Sequence, residues 1–128
     1  MTFNILCKTH DLEARMKGLT KLISDYEVDI VAIQENTDSH QQLLLKDPYI
    51  RKNFNVSDFT GQETGFKVSF LSRNPIMSLS IHSTLSNGRP ALIAQFKHKD
   101  KIIKIACVHL VSGNLANARA MQLDFMYD

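Results

Sequence analysis

The chain has 128 residues, which is enough for one globular domain and too few for two. Its hydrophobic fraction of 44% and charged fraction of 22% are ordinary for such a domain. The net charge of +2 allows an anionic substrate but is lower than is usual for a dedicated nucleic-acid-binding domain. Since no apolar run approaches transmembrane length and no signal-peptide core follows the N-terminus, we expect no membrane span and an intracellular protein, cytoplasmic or nuclear.

The N-terminal part of the chain predicts a strand, a helix and a second strand. Residues 2–7 form an apolar segment that Asn4 interrupts, and the unbroken apolar run 30–33 predicts a strand covered on both faces. Between them, an apolar stripe at spacings of three and four predicts an amphipathic helix over residues 12–26, with Asp11 as its N-cap. A strand–helix–strand unit brings the ends of two parallel strands to one sheet edge. The apolar stripe of the predicted helix consists of Leu12, Met16, Leu19, Ile23 and Tyr26.

The middle of the chain changes from helical to alternating periodicity. Residues 36–45 predict a short helix, and residues 49–65 are interpreted as a strand followed by a loop. Residues 66–110 alternate between apolar and polar positions, which predicts an antiparallel meander with turns at Asn74–Pro75 and Asn87–Gly88.

A last helix is predicted over residues 115–127. It has no C-terminal glycine, cationic last turn or proline, so we expect the chain to stop inside a domain. The fold class that these elements predict is α/β, with a mixed sheet and flanking helices. The residues expected on the inner side of the last helix are Leu115, Ala118, Gln122, Phe125 and Met126.

Three residues are candidates for chemistry. Glu35 follows a predicted strand, where a carboxylate can hold a hard cation such as Mg²⁺; the alternative is a solvated strand end. His109 continues the apolar row of residues 103–107, either as a hydrogen-bonded core residue or as a donor to a phosphoryl oxygen. Asn4 stands among residues expected to be buried, where its amide either makes a structural hydrogen bond or orients a metal ligand or substrate.

Arginine can bind a phosphate through two parallel hydrogen bonds. A structural or surface ion pair is the favoured role for Arg73, whereas for Arg89 and Arg119 an ion pair and substrate binding are about equally favoured. Arg119 could also brace the loop that precedes its helix. Cys7 and Cys107 lie in predicted strands and are expected to be free thiols in a reducing compartment.

Five segments together resemble the endonuclease/exonuclease/phosphatase family. Their order and spacing are more specific than any one of them, and they are similar to deadenylase-like and tyrosyl-DNA phosphodiesterase-like members in particular. The segments are residues 2–6 with the following Arg15 helix, residues 29–35 ending in Gln-Glu, residues 65–76 containing Leu-Ser-Arg-Asn-Pro-Ile, residues 88–92 with the His-Leu strand 105–110, and Arg119-x-x-Gln122-Leu123.

The resemblance implies that residues 1–128 are a single partial domain, the N-terminal half of a four-layer α/β sandwich. It implies metal-dependent hydrolysis of phosphodiester bonds, with nucleic acid as the expected substrate. By resemblance, Glu35 binds Mg²⁺ or Mn²⁺, Asn4 helps to position the metal and the phosphate, and His109 stabilises the phosphoryl group.

The sequence lacks the Gly-Asp-x-Asn and Asp-His motifs that family enzymes carry further along the chain. Whether this chain is active alone is therefore open. One alternative is a truncated non-catalytic remnant or binding subunit, whose exposed sheet face needs a second half, a second chain or a dimer partner. Another is a phosphatase that acts on phosphoinositides or sphingolipids.

Overall fold

The computed structural model describes residues 1–8, 10–58, 67–82, 89–110 and 112–124. Helices and strands alternate in the first half of the chain, and a run of strands precedes the last helix. In chain order the elements are β1 (Thr2–Asn4), α1 (Leu12–Asp25), β2 (Ile30–Gln34), α2 (Asp38–Lys46), α3 (Pro48–Asn53), β3 (Asn55–Val56), β4 (Val68–Ser72), β5 (Ile76–His82), β6 (Ala91–His98), β7 (Lys101–Cys107) and α4 (Ala116–Asp124).

The strands form two sheets. The first has four strands in the order β1-β2-β4-β3, and the second has three in the order β5-β6-β7. β1 runs parallel to β2 with Asn4 opposite Gln34, whereas the other strand pairs are antiparallel. The predicted α/β class, the mixed sheet and the strand–helix–strand unit are therefore confirmed.

The predicted meander is only partly correct. β5, β6 and β7 form one, but β4 belongs to the first sheet, where Leu71 pairs with Val31 of β2. All five residues of β4 are buried, as expected for a central strand covered on both faces. The turn predicted at Asn87–Gly88 lies outside the described residues.

The two sheets pack face to face. The two faces of β2 contribute to different clusters: Val31 and Ile33 pack beneath the helices, and Ala32 packs toward the second sheet. Phe70 and Phe96 meet between the sheets at 5.3 Å with their rings nearly perpendicular. The expectation of an exposed inner sheet face was wrong, because the chain's own second sheet covers that face of the first.

The sandwich is open at one side. β1 and β7 are edge strands, and a cleft of about 470 Å³ between the sheets is lined by residues of β1, β2 and β7. Beside it, a largely apolar groove of about 550 Å³ runs between β1 and α1. Phe3 and Leu22 line this groove and are 36% and 38% exposed.

Several local predictions need correction. Asp11 precedes α1 in the left-handed region, at φ 50°, and its side chain makes no capping hydrogen bond. Tyr26 lies one residue beyond α1 and is 73% exposed, whereas Met16, Leu19 and Ile23 are buried as predicted. The segment 49–65, predicted as a strand and a loop, begins within α3, which Asp47 caps by accepting from the Tyr49 and Ile50 N–H groups, and its strand is the two-residue β3. Among the residues that the structure describes, no helix is long and apolar enough to cross a membrane.

The last helix is also only partly as predicted. In α4, Gln122 is buried as expected, whereas Leu115 is 48% exposed and precedes the helix. Phe125 and Met126 lie outside the described residues. Among the described residues of the predicted inner side, Gln122 is the one that is buried.

Candidate active site

Glu35 lies where β2 ends and is held from two sides. Its backbone adopts φ 60°, a left-handed conformation that turns the chain sharply away from the strand. Oε1 accepts a 2.8 Å hydrogen bond from Nδ2 of Asn4, and Oε2 accepts one of 2.8 Å from the N–H of Cys7. The side chain is 13% exposed, so the carboxylate is fixed in position but remains accessible.

These contacts keep Glu35 ionised. Burial raises the pKa of its carboxyl group, but the hydrogen bonds from Asn4 and Cys7, with the nearby His109, lower it by more. The resulting pKa lies below the ordinary value of 4.5. Glu35 is therefore a carboxylate at neutral pH, as a metal ligand must be.

Asn4 is exposed, and the prediction that it lies among buried neighbours was wrong for Phe3 and Leu6, though right for Ile5. The reason is that β1 is a short edge strand ending at Asn4. The Asn4 amide is nevertheless fixed, because Oδ1 accepts a 2.9 Å hydrogen bond from the Leu6 N–H while Nδ2 donates to Glu35.

His109 follows β7 by two residues and reaches Glu35. Its Nε2 lies 3.5 Å from Oε1 of Glu35 and 3.4 Å from Nη1 of Arg89, which also donates to the Leu110 carbonyl. Burial lowers the pKa of His109, the Arg89 cation lowers it further, and Glu35 opposes both. The imidazole is thus neutral at neutral pH, and it can act as a donor through one N–H group.

Four of the five residues singled out for a site are brought together: Asn4, Glu35, His109 and Arg89 form one continuous set of contacts. The fifth, Arg119, donates a 2.7 Å hydrogen bond to the Gly113 carbonyl, so it braces the loop before α4.

Arg73 has the structural environment that the sequence favoured. Its guanidinium lies over the rings of Phe54 and Tyr49, at 4.8 and 5.9 Å from their centroids, and donates to the Val28 carbonyl. It follows β4 at the end of the sheet where Ser72 pairs with Ile30, far from Glu35.

The donors at this edge suit a magnesium ion that keeps most of its water. Across the described parts of the chain, no group of three or more His, Cys, Asp or Glu side chains is arranged to hold a metal. Mg²⁺ commonly retains several waters and takes only one or two protein carboxylates. The ionised Glu35 with the neighbouring Asn4 amide fits such a site, to which this chain supplies one carboxylate.

Sequence reasoning missed two contributors to the site. The backbone N–H of Cys7 binds Glu35, and Arg15 of α1 binds carbonyl groups of the segment that carries Cys7. No residue-type pattern indicates a backbone donor. For Arg15, the available signals were a long cationic side chain beside the apolar stripe of α1 and its place in the first of the segments that resemble the family.

The chain matches known proteins over almost all of its length. The model of the Endonuclease/Exonuclease/phosphatase family matches residues 1–126. D. rerio TDP2, solved with a single-strand DNA product, has a TM-score of 0.86 and 22% identity, over 98% of this chain and 51% of that one. An endonuclease/exonuclease/phosphatase from Bacteroides vulgatus has a TM-score of 0.79 and 19% identity, over 98% and 57%. No curated protein sequence matches the chain.

A third solved structure is ANGEL2, a 2',3'-cyclic phosphatase, with a TM-score of 0.69 and 16% identity, over 95% of this chain and 44% of that one. The chain thus spans about half the length of the proteins it resembles. Sequence identities between 16% and 22% show only that the fold is shared. The match to the family model, which extends over residues 1–126, shows the family. The chain belongs to the Endonuclease/Exonuclease/phosphatase family.

Proposed function

We propose that the chain carries part of the active site of a metal-dependent phosphodiesterase that acts on nucleic acid. The observation that supports this most directly is the contact set Asn4–Glu35–His109 at neighbouring strand ends of both sheets. It combines an ionised carboxylate, a fixed amide and a neutral imidazole within hydrogen-bonding reach of one point. Hydrolysis of a phosphodiester needs charge neutralisation and donors to the phosphoryl oxygens, which these groups can supply.

Each residue has a proposed role. Glu35, with Asn4, would hold Mg²⁺ or Mn²⁺, and the bound ion would supply positive charge to neutralise the phosphate. His109 donates a hydrogen bond to a phosphoryl oxygen. Arg89 adds to the effect of burial in lowering the pKa of His109 and places a cation beside the phosphate. Arg119 remains a candidate for substrate binding through the loop that it braces.

Nucleic acid is the proposed substrate for two reasons. The structure of D. rerio TDP2 contains a single-strand DNA product, and this chain shares its fold over 98% of its residues. The net charge of +2 does not repel a polyanion. A lipid or phosphoinositide phosphatase remains the alternative, and turnover of a phosphoinositide in place of an oligonucleotide would favour it.

We further propose an intracellular location. Cys7 and Cys107 are both free, as expected in a reducing compartment. Burial raises the pKa of the Cys107 thiol to about 11, so this thiol is protonated and unreactive.

The experiment that tests the proposed activity compares Glu35→Gln with the wild type, with the exposed Glu13→Gln of α1 as a matched control. Cleavage of a single-stranded oligonucleotide and of a small phosphodiester is measured with Mg²⁺, and Mn²⁺ binding is measured by calorimetry. We expect Glu35→Gln to lose both, and Glu13→Gln to retain both. Equal turnover in wild type and Glu35→Gln would contradict the proposal, as would the absence of Mn²⁺ binding to the wild type.

A second candidate function is that of a binding subunit, completed by another polypeptide that adds the missing motifs. The edge strands β1 and β7 and the apolar groove beside β1 favour it, since strands added there would extend both sheets. Sedimentation velocity tests it: association with an added polypeptide bearing Gly-Asp-x-Asn and Asp-His motifs, or self-association through the β1 edge, is the expected result. A compact monomer that does not bind such a polypeptide would contradict this second candidate function.

A further inference from the structure

We propose that Arg15 is a positioning residue for the candidate active site. Its guanidinium holds the segment after β1 in the shape that directs the N–H groups of Leu6 and Cys7 at Asn4 and Glu35. The inference deepens the proposed function, because it concerns the same carboxylate and amide. Arg15 itself lies one step away from them and touches neither.

The contacts of Arg15 are concentrated on one short segment. Nη2 donates to the carbonyls of Ile5 and Leu6, the latter at 2.8 Å, and Nη1 donates to the Lys8 carbonyl at 2.8 Å and the His10 carbonyl at 3.4 Å. One side chain thus binds four carbonyl groups within six residues of backbone. The planar guanidinium can do this because its five N–H donors form a rigid fork, which the single ammonium of lysine cannot reproduce.

The segment needs such support, because Leu6 adopts φ 57°. This left-handed conformation is unfavourable for a residue with a Cβ atom and persists where the surroundings hold it. The Leu6 peptide groups are held at both ends: the N–H donates to Oδ1 of Asn4, and the carbonyl accepts from Arg15. Arg15 therefore stabilises the turn by which the chain leaves β1.

The turn decides where the donors to the site point. The last backbone hydrogen bond that continues β1 runs from the Ile5 N–H to the Gln34 carbonyl, at 3.1 Å. Two residues later the Cys7 N–H binds Oε2 of Glu35 at 2.8 Å. If the turn opened, Glu35 would lose this donor and Asn4 would lose the contact that fixes its amide. Both oxygens of Glu35 depend on the same turn.

The test uses Arg15→Ala and Arg15→Lys, with Arg73→Ala as the matched control. The Arg73 side chain also packs against neighbouring side chains and donates to a backbone carbonyl, but it lies at the opposite end of β2. Two readouts are measured: Mn²⁺ affinity by calorimetry, and hydrogen exchange of the Leu6 and Cys7 amides by NMR. Residues that orient metal ligands typically change metal affinity by about 10–100-fold when removed.

We expect Arg15→Ala to weaken Mn²⁺ binding about tenfold or more and to speed exchange at both amides, with Arg15→Lys intermediate. Arg73→Ala should lower thermal stability and leave both readouts unchanged. Wild-type affinity and exchange in Arg15→Ala would overturn the inference, and so would equal changes in Arg73→Ala. If Arg15→Ala does not fold, Arg15→Lys decides by the same criteria. If the wild type binds no Mn²⁺, the metal part of the proposed function fails and amide exchange alone decides this inference.

Discussion

Nδ2 of Asn4 and Oε1 of Glu35 are joined by a 2.8 Å hydrogen bond that crosses from β1 to the end of β2. Because β1 and β2 are parallel, their C-terminal ends lie at the same sheet edge, and the two side chains meet there. The bond orients the amide and helps to keep the carboxylate ionised. It makes the carboxylate and the amide one unit, so substitution of either residue should affect the other.

The first prediction concerns Asn4→Ala, which removes the donor to Glu35. We expect Mn²⁺ affinity to fall about tenfold, because an unsupported carboxylate is less well oriented. The measurement is calorimetric titration with Mn²⁺. The matched control is Asn55→Ala, since Asn55 binds the carbonyls of Ser72 and Asn74 at the other end of the sheet. Equal loss in both variants would contradict the prediction.

The second prediction separates His109 from the metal-binding residues. His109→Ala should lower kcat for a phosphodiester about 100-fold, as is typical when one donor to a charged transition state is lost. It should change Mn²⁺ affinity much less than Glu35→Gln does, because His109 is proposed to contact the phosphoryl oxygen. Steady-state kinetics and Mn²⁺ titration measure the two effects. If His109→Ala abolished metal binding and left kcat intact, the assigned roles would have to be exchanged.

The third prediction concerns acid stability. His40 in α2 is fully buried; burial lowers its pKa, the Arg15 cation lowers it further, and the Leu6 backbone and Glu35 oppose this. The unfolded chain therefore takes up a proton at this residue below the ordinary value of 6.5, at a pH where the folded protein does not. The contribution of neutral His40 to the free energy of unfolding should be fully present above that pH. It should fall as the pH drops below that value, by at most about 1.4 kcal/mol per pH unit for one group.

Urea denaturation between pH 5 and 8 measures this dependence. His40→Gln should lower stability at every pH, since the Nδ1 contacts of His40 with Thr37 are lost, but its free energy of unfolding should vary less with pH. The slope of the free energy of unfolding against pH distinguishes the titration of His40 from the loss of its contacts with Thr37. A slope identical to that of the wild type would exclude His40 as its source.

The fourth prediction concerns the contact between the sheets. Phe96→Ala should destabilise the fold by about 3–5 kcal/mol, because Phe96 is fully buried against Phe70 and its removal leaves a cavity. Ile102→Ala is the control, since Ile102 is 62% exposed and its truncation should cost about 0.5 kcal/mol or less. Urea denaturation measures both. Similar losses would mean that the sheets do not share a packed core.

Much of the fold follows from local sequence patterns. The apolar run of β2 was correctly predicted to be covered on both faces, and the stripe of α1 correctly identified Met16, Leu19 and Ile23 as buried. Periodicity succeeds in these elements because burial repeats with the geometry of the helix or strand. The positions of Glu35 and His109 at strand ends follow from the same reasoning, whereas Asn4 was expected inside a strand and lies at the end of one.

Local sequence patterns could not predict the features that depend on contacts between residues distant in sequence. β4 alternates like a half-exposed strand, yet its polar Ser69 is buried, and Ser69 accepts from the Asn36 amide 33 residues away. Tyr26 fits the stripe of α1 but falls beyond the helix end and is exposed. The bond between the Cys7 N–H and Glu35 depends on a left-handed leucine that no propensity predicts.

The open side of the sandwich has a consequence for which chains can join it. β1 offers only three residues for pairing, and the longer edge strand β7 carries exposed Lys101 and Lys104. Short edges and lysines are devices by which proteins discourage indiscriminate strand pairing and aggregation. A second copy of β7 would place like charges close together, whereas an acidic strand would meet complementary ones. Charge on this edge thus selects against self-assembly through β7 and in favour of a polypeptide of opposite sign.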